Sequence, residues 1–107
     1  MPQFIITYFG GNKPSSPEEG KQQMSEYKSW LSSLGNSVVS PANPLKDTKT
    51  INSDGTVTDS CASSMSGYTI IEVDTIDKAV SISKECPFLK TGGTLEVSEL
   101  IPMPNLS

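Results

Sequence analysis

Two kinds of periodicity alternate along the chain. Gln3 to Phe9 is rich in aromatic and β-branched residues, with Phe4, Ile6 and Tyr8 on one face and Ile5 and Phe9 on the other. This predicts a strand with two apolar faces. The stretch Gly67 to Val73 repeats that character, placing Tyr68 and Ile70 opposite Ile71 and Val73. Thr94 to Ile101 instead alternates, Leu95, Val97 and Ile101 against Glu96 and Ser98, as an edge strand with one wet face does. Between the strands the period lengthens. Ser16-Pro17-Glu18-Glu19 reads as a helix start, with Ser16 as cap, Pro17 in the first turn and Glu19 closing a capping box. Met24, Tyr27, Leu31 and Leu34 then form an apolar stripe widened by Trp30, and Gly35 is the expected stop. A second helix is predicted from Asp74 to Cys86, capped by Asp74 or Thr75, with Ile76, Ala79, Val80 and Ser83 inward and Pro87 ending it.

The connecting segments complete the topology. Ser37 to Ser40 is a short strand closed by Pro41 and Pro44. Lys49-Thr50-Ile51 and Thr56-Val57-Thr58 flank Asn52-Ser53-Asp54-Gly55, a hairpin signal. Gly10 to Ser15 and Gly92-Gly93 read as turns, and Asp59 to Ser66 as a polar loop. The order strand, helix, strand, hairpin, strand, helix, strand describes a ferredoxin-like α+β plait, an antiparallel sheet with two helices on one face and an inserted β-hairpin. A single domain over residues 1–107 is expected. Two helices cover one face of such a sheet, yet the first strand and the Tyr68 strand are apolar on both. A second copy of the same sheet is the simplest cover, so a homodimer is expected.

Charge narrows the partners. The net charge is −4, and the eight basic residues are scattered, so nucleic acid, which needs clustered Lys and Arg, is not an expected partner. No apolar run approaches the roughly 20 residues that span a bilayer, so no membrane partner is expected. Met1-Pro2-Gln3-Phe4 lacks a basic region leading into an apolar stretch, and a cytoplasmic location is expected. Cys61 and Cys86 are far apart in a chain without histidine, which argues against a zinc site or a disulfide framework and for two free thiols. Gly10-Gly11 and Gly92-Gly93 lack the spacing of a phosphate loop. No cofactor is expected.

Without imidazole, proton transfer near neutral pH falls to a carboxylate, or to a Lys or Cys of shifted pKa. Asp59, opening the polar loop, is one catalytic candidate; the alternative is an Asp that fixes a turn. Glu72, on the strand face it shares with Tyr68 and Ile70, is the other, because an apolar sheet face raises a carboxyl pKa. Its alternative is a partner in a dimer interface. Tyr8 and Tyr68 are candidate pocket residues with inward hydroxyls, or else aromatic core. Cys61 reads as an incidental small residue and Cys86 as core packing.

Leu34-Gly35, Asn43-Pro44-Leu45, Lys49-Thr50-Ile51, Asp54 to Asp59, Gly67 to Asp74, Ala79-Val80, Cys86-Pro87 and Gly92 to Val97 recur in this order and spacing in a known family. On these residues the chain resembles the YCII-related (DGPF-domain) family of the dimeric α/β-barrel superfamily. The resemblance implies sheets paired face to face in a homodimer, and it adds Asn43 to Tyr8 and Tyr68 as candidate ligand-binding residues. The family's Asp-Gly-Pro element falls at Asp59-Ser60-Cys61, where only the Asp is kept. Some relatives carry a His near an Asp as a proposed dyad; where relatives often read Cys-Pro-His, this chain has Cys86-Pro87-Phe88. The expectation is a small-molecule-binding or accessory module without His-dependent catalysis. The alternative is a superfamily enzyme of isomerase or lyase type, using carboxylates and tyrosines on small aromatic or keto substrates.

Overall fold

The computed structural model describes residues 1–11, 14–59 and 65–102. Its elements run β1 (Gln3–Phe9), α1 (Pro17–Leu34), β2 (Val38–Pro44), β3 (Thr50–Ile51), β4 (Val57–Thr58), β5 (Met65–Glu72), α2 (Ile76–Lys84) and β6 (Thr94–Glu99). Short 3₁₀ turns cover Gly35–Ser37 and Pro87–Thr91. The main sheet has the order β2-β5-β1-β6, all pairs antiparallel, and β3-β4 forms a separate two-stranded ribbon. This is the ferredoxin-like α+β plait with its hairpin inserted between β2 and β5.

The two central strands point alternate residues into one core. Phe4, Ile6 and Tyr8 of β1 and Ile71 of β5, with Val73 just beyond it, gather under Trp30 of α1, Ala79 of α2, and Cys86. The opposite face of β1 and β5, carrying Ile5, Thr7, Phe9, Tyr68, Ile70 and Glu72, is only half-buried. Trp30 ties the two helices together, its indole N–H donating to the Ile82 carbonyl at 3.2 Å. Ser16 caps α1 through Glu19 N–H at 3.1 Å, and Thr75 caps α2 through Lys78 N–H at 3.1 Å. The Glu19 carboxylate reaches back to Ser15, accepting from its N–H and hydroxyl, one residue earlier than a standard capping box requires.

Several boundaries differ from the sequence reading. β2 does not stop at Ser40 but continues through Pro41 to Pro44. It is an edge strand with two register shifts, and an edge spares a proline from donating to a ladder. β5 begins at Met65, inside the stretch read as a loop. α2 is shorter than Asp74 to Cys86, and Ile76 and Val80 are exposed; Ile82 packs on the core instead. β6 ends at Glu99, leaving Ile101 exposed. Met24 sits at the exposed end of its stripe. The hairpin turn closes through Asn52 N–H to the Thr56 carbonyl, at 2.7 Å, and through the Asp54 carboxylate, which accepts from Thr56 N–H and hydroxyl. Those bonds hold the Asp54 carboxyl below its ordinary pKa. Cys61 lies outside the described residues.

Candidate functional site

A cavity of about 700 Å³ opens between α1 and the end of the sheet where Tyr8 pairs with Gly67 and Pro44 with Gly67. That volume falls within the range of small-molecule sites. Three segments distant in sequence build its walls: Met24, Tyr27 and Leu31 from α1, Asn43 and Pro44 from β2, and Pro87 and Phe88 from the 3₁₀ turn after α2. The lining is mainly apolar and aromatic. The Tyr8 ring lies 5.2 Å from Phe88 and 6.1 Å, edge-on, from Tyr27, whose ring is 5.8 Å from Trp30.

Glycine makes room for the Phe88 wall. A Cβ on Gly93 would stand 2.2 Å from the Phe88 ring, and one on Gly11, whose φ is +89°, 2.9 Å from it. Neither position accepts a side chain while Phe88 keeps its place.

Behind the cavity wall, the hydroxyls of Tyr8 and Tyr27, which border it, converge on the buried Thr69. The Tyr8 hydroxyl lies 2.5 Å from Thr69 Oγ1 and 2.9 Å from the Tyr27 hydroxyl. Thr69 Oγ1 donates to the Pro41 carbonyl at 2.7 Å, and the Tyr27 hydroxyl lies 3.0 Å from Thr69 Oγ1. Burial pushes the Tyr8 phenol well above its ordinary pKa, with the Thr69 bond pulling the other way. Tyr8 is therefore a neutral hydrogen-bonding group, not a proton shuttle at neutral pH. At the outer side, Lys90 Nζ pairs with Glu26 at 3.0 Å, and Gln23 donates to Glu19 at 3.2 Å. Cys86 is buried, and burial pushes its thiol up to about 11, so it remains protonated.

Tyr8, Asn43 and Tyr68 all border this cavity. Tyr8 turns its hydroxyl to the helix side. Tyr68 alternates with Thr69 to the opposite face of β5, so the two tyrosine hydroxyls do not form a pair. Asn43 spends its amide on Ser40 Oγ at 2.9 Å and the Tyr68 carbonyl at 3.1 Å, holding β2 to β5. The two carboxylate candidates do not converge. Asp59 stands on the hairpin side, 86% exposed and paired with Lys49 at 2.9 Å. Glu72 lies at the far end of β5 on the uncovered face, accepting from Gln3 Nε2 at 3.4 Å. Neither borders the cavity. The resemblance places histidine where Phe88 forms a cavity wall.

Sequence reasoning missed Tyr27, Thr69 and Phe88. One signal was available: Thr69 occupies a position in β5 that alternation buries, and a buried hydroxyl requires partners. Among the described residues, no three His, Cys, Asp or Glu side chains gather to hold a metal ion. No described helix is long and apolar enough to cross a membrane.

No family model matches the chain, and no curated protein matches it. Among solved structures it is similar to the 5-chloro-2-hydroxyhydroquinone dehydrochlorinase TftG from Burkholderia phenoliruptrix AC1100, determined in complex with 2,5-dihydroxybenzoquinone. The TM-score is 0.55 at 18% identity, and the match covers 90% of each chain. At that identity the likeness establishes the fold alone, the ferredoxin-like α+β plait.

Proposed function

We propose that the protein is a cytoplasmic homodimeric module of the YCII-related kind that binds a small, flat aromatic or keto molecule in the cavity between α1 and the sheet, without His-dependent catalysis. The observation that carries this reading is the cavity itself: aromatic and aliphatic walls backed by a hydroxyl cluster in which burial keeps the Tyr8 phenol protonated near pH 7. The half-buried apolar face of β1 and β5 supports the dimer, since a second copy of that face would complete its burial. The fold neighbour's bound quinone supports a ligand of comparable size and shape.

An enzyme remains the second reading, favoured by the neighbour being a dehydrochlorinase. The two readings separate in one experiment. The protein is titrated calorimetrically with a panel of hydroxyaromatic, quinone and keto compounds that includes 2,5-dihydroxybenzoquinone, and each mixture is then assayed for chemical change. Saturable binding with recovery of unaltered compound is the expected result. Turnover that Glu72→Gln or Asp59→Asn abolishes would instead establish carboxylate catalysis. Light scattering is expected to give twice the 11.5 kDa of one chain; a monomer at micromolar concentration contradicts the dimer.

A further inference from the structure

The hydroxyl cluster is a chain of hydrogen bonds that ends on one backbone carbonyl. Three O–H groups, on Tyr8, Tyr27 and Thr69, are served by a single backbone carbonyl, that of Pro41. Thr69 donates to that carbonyl at 2.7 Å, which leaves its oxygen to accept from Tyr8 at 2.5 Å. Tyr27 is left with the longer contacts: 2.9 Å to Tyr8, 3.0 Å to Thr69 and 3.4 Å to Pro41, each oxygen already engaged in a shorter bond. Tyr8 and Thr69 are buried, whereas Tyr27 is half-buried and borders the cavity. Its proton is the one that can turn to a new acceptor at the smallest cost.

Charge decides what that acceptor is. The cations bordering the cavity, Lys28 and Lys90, are exposed, and Lys90 is already paired with Glu26. The hydroxyl cluster itself holds only neutral groups. A carboxylate pushed against it would lose hydration without a counter-charge, whereas an uncharged carbonyl oxygen would lose little and gain a donor.

Resting on the reading of this cavity as the binding site, we propose that its ligand is an aromatic ketone, aldehyde or quinone that enters uncharged carbonyl first and is held by the Tyr27 hydroxyl. Tyr8 and Thr69 position that hydroxyl, and Phe88 supplies a wall for the ring.

Three probes of nearly the same shape test this: acetophenone, with an uncharged acceptor; α-methylstyrene, with none; and benzoate, with a charged one. Their affinities for the full chain are measured by NMR titration. In the wild type acetophenone is expected to bind roughly two- to tenfold more tightly than α-methylstyrene, the span one neutral hydrogen bond supplies, and more tightly than benzoate. In Tyr27→Phe the advantage of acetophenone over α-methylstyrene should vanish while α-methylstyrene binds as before. Equal binding of these two probes by the wild type, tighter binding of benzoate, or an acetophenone preference that survives Tyr27→Phe would each overturn the proposal while leaving the cavity as a binding site. Failure of all three probes to bind would overturn the binding reading as well. Should Tyr27→Phe not fold, the wild-type ranking still decides.

Discussion

Phe4, Ile6 and Tyr8 on β1 are at most 6% exposed, while their neighbours Ile5, Thr7 and Phe9 on the same strand stay half-buried. β5 repeats the contrast, Thr69 and Ile71 against Tyr68, Ile70 and Glu72. The covered face is closed by Trp30, Ala79 and Cys86, and the cavity forms beside Tyr8, between α1 and the sheet. The uncovered face carries Ile5, Phe9, Tyr68 and Ile70 at its centre, with Glu72, paired to Gln3, at one end and Glu96 of β6 at the edge. The proposed ligand cavity therefore belongs to one face, and the proposed dimer surface to the other. A strand apolar on both sides announces that two partners are needed, but not which side meets which.

Substitutions on β1 test that division. Phe4→Ala is expected to cost about 3–5 kcal/mol in urea denaturation, the range for removing a buried phenyl ring, at any protein concentration. Ile5→Ala is expected to cost less in the folded chain and to act through association, so that its effect grows on dilution. An Ile5→Ala loss as large as that of Phe4→Ala and independent of concentration would erase the distinction between the faces.

Gly93→Ala probes the cavity wall. Its Cβ would lie 2.2 Å from the Phe88 ring, so Phe88 must move. A loss of about 1–3 kcal/mol is expected, with weakened binding of aromatic probes. Unchanged stability and binding would show that Phe88 is not held where the wall needs it.

The smallest effect concerns pH. Burial raises the folded Cys86 thiol from an ordinary 9.0 to about 11, so between those values the unfolded chain releases a proton that the folded chain keeps. Stability contributed by the neutral thiol is full below about pH 9 and is lost as pH rises toward 11, with a slope of up to about 1.4 kcal/mol per pH unit. Comparing wild type with Cys86→Ala between pH 8 and 10, the wild type should fall more steeply above pH 9; parallel curves would mean the thiol is not desolvated.

Much of the fold was legible because its signals are local. Ser16 and Thr75 cap helices through side-chain oxygens, Gly35 ends α1, and period-2 alternation separates Ile71 from Ile70. The errors came where tertiary context overrode local rules. Prolines inside β2 are tolerated because β2 is an edge, and Ile76 and Val80 lie outside the strip of α2 that the sheet covers. The candidate site was less legible because its members are distant in sequence: Tyr27 reads as one more residue of a helical stripe until the fold sets its hydroxyl beside Tyr8 and Thr69. Asp59 and Glu72 attract notice as carboxylates in a chain without histidine, yet the topology sends them to separate surfaces.

The central claim is that small aromatic ligands occupy the helix-covered side of the sheet. The most direct test is amide chemical-shift mapping on the isotopically labelled wild type during titration with acetophenone. Saturable shifts are expected at Tyr8, Tyr27, Thr69, Phe88 and Thr91, with Ile5, Ile70 and Glu72 unmoved. Shifts concentrated at Ile5, Ile70 and Glu72, with the Tyr8 and Tyr27 amides silent, would place the ligand on the other face and contradict it.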